Sequence, residues 1–165
     1  MQNTKFVKSA VPGFYSVKED VSQDDILNMA LQIAQSRLAQ GEVLNSPEAT
    51  YKALQVYTQG HDREVFGVIC LDNHHRIITV EEMFFGSVNH VALSPREIAR
   101  LALRNNASAI VLYHNHPSGD VKPSSADKDA TVQVASAMMT VGVRFLDHVI
   151  VSPCGYVSLA ELGYV

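Results

Sequence analysis

The stretch His114-Asn115-His116-Pro117-Ser118-Gly119-Asp120-Val121-Lys122-Pro123-Ser124-Ser125-Ala126-Asp127 gathers residue types that can hold a metal ion. His114 and His116 lie two apart at the end of an apolar, strand-like run, so both imidazoles can point to one side. Ser124 and Asp127 lie three apart where a helix is expected to begin, and so share a face of it. On that helix Asp127 aligns with Thr131, Val134 and Met138, a stripe that would face inward. A carboxylate placed inward needs a partner, because burying it alone is costly. A cation is one such partner. Two neutral imidazoles, one carboxylate and a water make a tetrahedral zinc site with an open position, so His114, His116 and Asp127 are the candidate zinc ligands.

Plainer readings account for parts of this pattern. Ser124 and Asp127 have the spacing of a helix cap, with Asp in place of the usual Glu. Capping explains the carboxylate and leaves the two histidines unexplained. The string His-Asn-His shares its letters with a nuclease motif whose residues are dispersed, so that coincidence carries nothing. Two other metal signatures are absent. A nucleoside deaminase needs His-x-Glu and a later Pro-Cys-x-x-Cys, but no second cysteine follows Pro153-Cys154. The His-Glu-x-x-His of a helical zinc protease does not occur.

The elements that must position these residues can be read from caps and periodicity. Residues 1–20 lack clear periodicity and read as an extended or loose arm. A helix is expected from Gln23 to Gln40, capped by Ser22, favoured by Asp24 and Asp25 at its positive end and stopped by Gly41. Ile26, Ala30, Ile33 and Ala34 form its apolar stripe. A second helix starts at Ser46-Pro47 and runs through Ala53, Leu54 and Val56. Glu64–Leu71 and Arg76–Phe85 read as a hairpin about Asp72-Asn73. Ser94 and Glu97 have capping-box spacing at the head of a helix that reaches Asn105. Ala107–Tyr113 is continuously apolar, as a buried central strand should be. A loop follows from His114 to Ser124, then a helix over Ser125–Thr140 and strands over Val143–Val151 and Tyr156–Leu159. This order predicts an α/β domain, a mixed sheet with helices on both faces.

Composition agrees. The chain has 165 residues, 47% hydrophobic and 18% charged, which suits one soluble domain with its own core. A net charge of −4 and a pI near 5.9 give no footprint for wrapping a phosphate backbone. Cys70 and Cys154 form no metal-binding pair and read as reduced. No segment has the character of a signal peptide or a membrane span, so a cytoplasmic protein is expected. His148, among apolar neighbours, reads as a satisfied structural histidine, Asp120 as the shaper of an Asx turn or else a hydrogen-bond partner of a ligating histidine, and His61, His74, His75 and His90 as loop or surface residues. Asn115 and Ser118 are candidates for orienting substrate.

His114-x-His116, seven residues, Ser124, two residues and Asp127 resembles the JAMM motif of MPN-plus metalloproteases. The fuller string His-Asn-His-Pro-Ser-Gly-Asp, with Ser94-Pro95-Arg96-Glu97 upstream and Asp147-His148-Val149-Ile150 downstream, resembles RadC proteins specifically. The resemblance covers about residues 45–163 and divides the chain into an arm and helix over 1–44 and a RadC-like JAB/MPN domain over 45–165. It implies a layout similar to that of the cytidine deaminases and a zinc-dependent hydrolase of peptide or isopeptide bonds, with a peptide or protein as substrate. It also implies an upstream glutamate as general base. Glu81 and Glu82 are adjacent on a strand, and periodicity does not choose between them; the family's spacing to a glycine, here Gly86, points to Glu81. Ser124 is expected to stabilise the oxyanion. Full-length RadC proteins carry a helix-hairpin-helix segment for which residues 1–45 are too short, so the likeness is to the short RadC-like form and direct nucleic-acid binding is not expected. The competing expectations are a non-catalytic interaction module on the same fold and a DNA-repair accessory or nucleic-acid-processing protein.

Overall fold

The computed structural model describes residues 5–44, 46–86 and 93–165, so His90 lies outside the described residues. In chain order the elements are β1 (Phe6–Lys8), β2 (Tyr15–Val17), α1 (Gln23–Arg37), α2 (Pro47–Thr58), β3 (Val65–Leu71) and β4 (Ile77–Phe85). They continue with α3 (Pro95–Arg104), β5 (Ala109–Asn115), α4 (Ser125–Thr140), β6 (Arg144–Ser152) and β7 (Gly155–Ser158). Five strands form a mixed sheet in the order β4-β3-β5-β6-β7. Only β5 and β6 pair in parallel, and α4 is the crossover between them.

The expected α/β architecture, helices on both faces of a mixed sheet, is what the chain adopts. Its central strands alternate between two cores. Ile69, Leu71, Val111, Tyr113, Val149 and Val151 face one way, towards Leu38 of the turn after α1 and Tyr51 and Leu54 of α2. Phe66, Val68, Cys70, Ile110 and Leu112 face the other, towards Ile98 and Leu101 of α3 and Val134 and Met138 of α4. Because both faces are covered, β3 and β5 read as unbroken apolar runs in the sequence. No helix among the described residues is long and apolar enough to cross a membrane.

Three expectations are corrected. The arm is not structureless: β1 and β2 pair as a hairpin, and Lys5 Nζ reaches Asp25 Oδ2 of α1 at 2.9 Å. Strands of three residues, largely exposed, leave no alternation to read. Ser94 makes no side-chain cap: the Glu97 N–H donates to the Ser94 carbonyl at 3.0 Å, and the Glu97 carboxylate pairs with Arg100. The apolar strand before the motif ends at Asn115 rather than Tyr113, so His114 belongs to β5 itself.

Two packing details fix the sheet. Tyr113 is fully buried, and its ring crosses β3 where a residue with a Cβ would overlap it; Gly67 stands there. Gly67→Ala should therefore destabilise the domain by about 3 kcal/mol, the upper range for overpacking a core, and urea unfolding checks this. Among the described residues no cation pairs with the buried Asp147 carboxylate, which accepts four hydrogen bonds, from Tyr51 Oη (2.6 Å), Ser158 Oγ (2.7 Å), His148 N (2.7 Å) and Ala160 N (3.0 Å). It joins α2, β6 and the C-terminal turn. Asp147→Ala leaves those donors without their acceptor and is expected to cost about 3 kcal/mol in the same experiment.

Candidate metal centre

The site forms where β5 ends and α4 begins. Alternation along β5 puts His114 on the α3/α4 face, where it is fully buried and stacks on Phe66 with ring centroids 4.1 Å apart. Just past the strand, His116 is held by its backbone N–H to Val151 O at 2.8 Å. The loop then turns at Gly119, whose φ of +92° suits glycine, and at Asp120, whose Oδ1 accepts from Lys122 N at 2.8 Å in an Asx turn. That turn delivers the chain to Ser124, the N-cap of α4.

At this cap the two readings of Asp127 meet. Ser124 N and Oγ both donate to Asp127 Oδ2 at 2.7 Å, and Asp127 N donates to Ser124 Oγ at 3.1 Å, a complete capping box. The other carboxylate oxygen, Oδ1, faces the imidazoles and lies 3.4 Å from His114 Nε2. Capping thus occupies one oxygen and aims the second.

Hydrogen positions follow from the partners. The hydroxyl of Thr131 lies 2.7 Å from both Asp127 O and His148 Nδ1. A carbonyl has no proton to give, so Thr131 donates to it and accepts from His148 Nδ1–H. His148 Nε2 is then bare and must accept from His114 Nδ1, 2.8 Å away. His116 Nδ1 likewise donates to Asp120 O at 2.7 Å. Both candidate ligand histidines therefore carry their proton on Nδ1, leaving two unprotonated Nε2 atoms 2.9 Å apart. Burial holds His114 well below its usual range and, with His116 nearby, pushes His148 down to about 3, so both rings are neutral.

Two bare nitrogen lone pairs and a carboxylate oxygen directed at one point repel each other unless a cation lies between them. Their spacing suits a small one. The separations of 2.9 Å between the two Nε2 atoms and 3.4 Å from His114 Nε2 to Asp127 Oδ1 lie close to the ~3.3 Å demanded by a tetrahedral ion with bonds of ~2.05 Å, and His116 Nε2 lies 3.9 Å from the capping oxygen Oδ2. His114, His116 and Asp127 are the group among the described residues whose donor atoms converge in this way.

The carboxylates nearby are placed differently. Glu81 pairs in register with Val68, on the α3/α4 face, whereas Glu82 pairs with Gly67 on the opposite face and bonds His61 at 2.8 Å. Glu81 shares the face of His114, but its Oε1 lies 3.5 Å from Arg104 Nη2 and its side chain is 38% exposed. Two strand spacings and a two-residue offset put its Cα about 12 Å from that of His114.

Glu64 is nearer. The pairing of Phe66 with His114 and Gly67 with Tyr113, continued beyond the end of β3, sets Glu64 opposite His116 and on the face of Phe66. Its carbonyl accepts from Gly86 N at 2.8 Å. Asn115 straps both its flanks, accepting from Val65 N at 2.7 Å and donating to Arg63 O at 3.0 Å. These bonds use the Asn115 amide structurally. Beside His116 a cleft of about 140 Å³ opens between α2 and the β6–β7 turn, lined by Gln55, Gln59, His61, His116, Pro117 and Pro153.

Of the residues singled out in the sequence, His114, His116 and Asp127 converge, Ser124 abuts Asp127, and Glu81 stands apart. Glu64 and Thr131 were not foreseen, whereas His148 is the satisfied structural histidine that was expected. Thr131 lay in the inward stripe with Asp127, where a hydroxyl among apolar residues was the available signal.

The sequence profile of the RadC-like JAB domain matches residues 44–164. The chain is also similar to a UPF0758 protein of Photorhabdus laumondii, 43% identical over 140 residues that cover 85% of this chain and 61% of the relative. The chain thus spans about three-fifths of that relative's length.

Proposed function

This chain belongs to the RadC family, and from that premise we propose that it is a zinc-dependent hydrolase of peptide or isopeptide bonds. Two unprotonated imidazole nitrogens converging with a carboxylate oxygen carry this reading. Two nitrogens and one oxygen form a donor set suited to zinc, and three protein ligands leave a fourth position open. When bound there, zinc lowers the pKa of a coordinated water to about 7 and polarises a substrate carbonyl.

The protein's own groups supply the rest. Glu64, across from His116, is the better-placed carboxylate to take the proton of the attacking water and return it to the leaving amine. Glu81, the choice implied by the family spacing, would first have to leave Arg104, and its Cα stands about 12 Å from that of His114. Ser124 Oγ is the candidate donor to the oxyanion, for which its hydrogen must swing away from Asp127 Oδ2. The cleft beside His116 has room for one substrate side chain. In this reading residues 45–165 are the catalytic unit, residues 1–44 an appended arm and helix, and the cytoplasm the compartment.

Metal analysis of zinc-equilibrated protein should give one ion per chain, and a peptide and isopeptide screen should yield products that disappear on chelation and return with zinc. An ion bound without cleavage of any substrate in the screen would favour the non-catalytic interaction module. Failure to bind zinc would overturn the proposal as a whole.

A further inference from the structure

His114 and Asp127 are joined twice: through the converging donor atoms, and behind them through a closed run of hydrogen bonds from His114 Nδ1 to His148 Nε2, from His148 Nδ1 to Thr131 Oγ1, and from Thr131 Oγ1 to Asp127 O. Thr131 and His148 are fully buried, and no hydrogen bond links either of them to His116 or Ser124. The direction of the run is set at one end only. The Asp127 carbonyl can only accept, so the Thr131 hydroxyl points to it, His148 must donate from Nδ1, and His114 must donate from Nδ1 in turn. Without the Thr131 oxygen, nothing holds the proton of His148 on Nδ1. Moved to Nε2, it would point at His114 Nδ1, and His114 would then carry its own proton on Nε2, the atom needed for a metal.

We propose that the Thr131 hydroxyl is a positioning group that fixes His114, through His148, in its metal-binding tautomer. The metal part of this inference rests on the function proposed above; the tautomer part does not. His116 has a separate anchor, the Asp120 carbonyl, and is unaffected by the relay. The relay is uncharged throughout, so it orients the ligand without adding a negative charge to the site. Ligand histidines are commonly backed by a carboxylate or a carbonyl; here a second histidine intervenes, and a hydroxyl decides which way it faces.

The test compares wild type with Thr131→Val, which keeps the shape and removes the oxygen, and Thr131→Ser, which restores it. Zinc affinity is measured by competition with a chromophoric chelator, and the histidine tautomers of the metal-free proteins by long-range nitrogen–proton NMR. Thermal melting checks that each variant is folded. Thr131→Val should bind zinc about 10- to 100-fold more weakly, the range for loss of a ligand's hydrogen-bond partner, with His114 showing an Nε2-protonated population. Thr131→Ser should stay within about threefold of wild type, with both rings protonated on Nδ1. The relay is overturned if the metal-free wild type has His148 protonated on Nε2, or if Thr131→Val is unchanged in tautomer and affinity. Wild type that takes up no zinc would sink the metal reading, and the tautomer spectra would still decide the relay.

Discussion

Glu64→Gln is expected to lower kcat by about 10²- to 10⁴-fold, the usual contribution of a general base, while one zinc ion per chain remains bound. Glu81→Gln is expected to stay within about twofold of wild type on both measures, since side chains outside a site rarely matter more. The contrast follows from register. Continuing the β3–β5 register past the strand ends would set Glu64 one strand away and opposite His116, whereas Glu81 lies two strands from β5, displaced along it, with its carboxylate beside Arg104. Gln matches Glu in shape but accepts no proton at neutral pH, so lost turnover with retained metal isolates proton transfer from binding. Steady-state kinetics on a cleavable peptide and metal analysis of the same samples are sufficient. Full activity in the Glu64 variant with loss in the Glu81 variant would reverse the assignment, and would mean that β4 shifts when substrate binds.

His116→Ala and Asp127→Ala should each abolish tight zinc binding, for two remaining donors do not hold the ion against a micromolar chelator. The readout is again twofold. Wild type equilibrated with zinc at a hundred times its Kd gains about 2.7 kcal/mol of unfolding free energy from binding alone; the two variants should gain none. Without metal they should diverge. His116→Ala removes only the hydrogen bond to Asp120 O, whereas Asp127→Ala also removes the acceptor of the Ser124 cap and should be the less stable by about 1 kcal/mol. Asp127→Asn, which can retain part of the cap, should recover most of that difference and little of the affinity. Unchanged zinc stabilisation in both alanine variants would refute the ligand assignment.

The candidate metal-binding residues were legible because each depends on a local rule. Strand alternation places His114, a glycine–proline loop returns the chain, and a helix cap fixes Asp127, all within fourteen residues. What crosses between strands was not legible. The shared face of Glu81 and His114 was hidden by two register shifts in the β3–β4 pairing, opposite Phe66/Gly67 and Cys70/Leu71, which reset the alternation of β4 on either side of the two glutamates. Glu64 looked like an ordinary charged residue at the head of a strand; only the antiparallel partnership with β5 gives it His116 as a neighbour. The Thr131–His148 contact joins residues seventeen apart on different elements and depends on the parallel crossover. The hairpin of the arm fell below the length at which a pattern can form.

The cap at the head of α4 is complete without any ion, since the Ser124 and Asp127 bonds involve protein atoms alone. If the site takes the metal proposed for it, folding need not wait for that ion. Unlike a small zinc finger, whose chain collapses only around its metal, this domain should survive stripping by EDTA with its circular dichroism intact and regain its ion within the mixing time, as a rigid receptacle filled after the chain is finished.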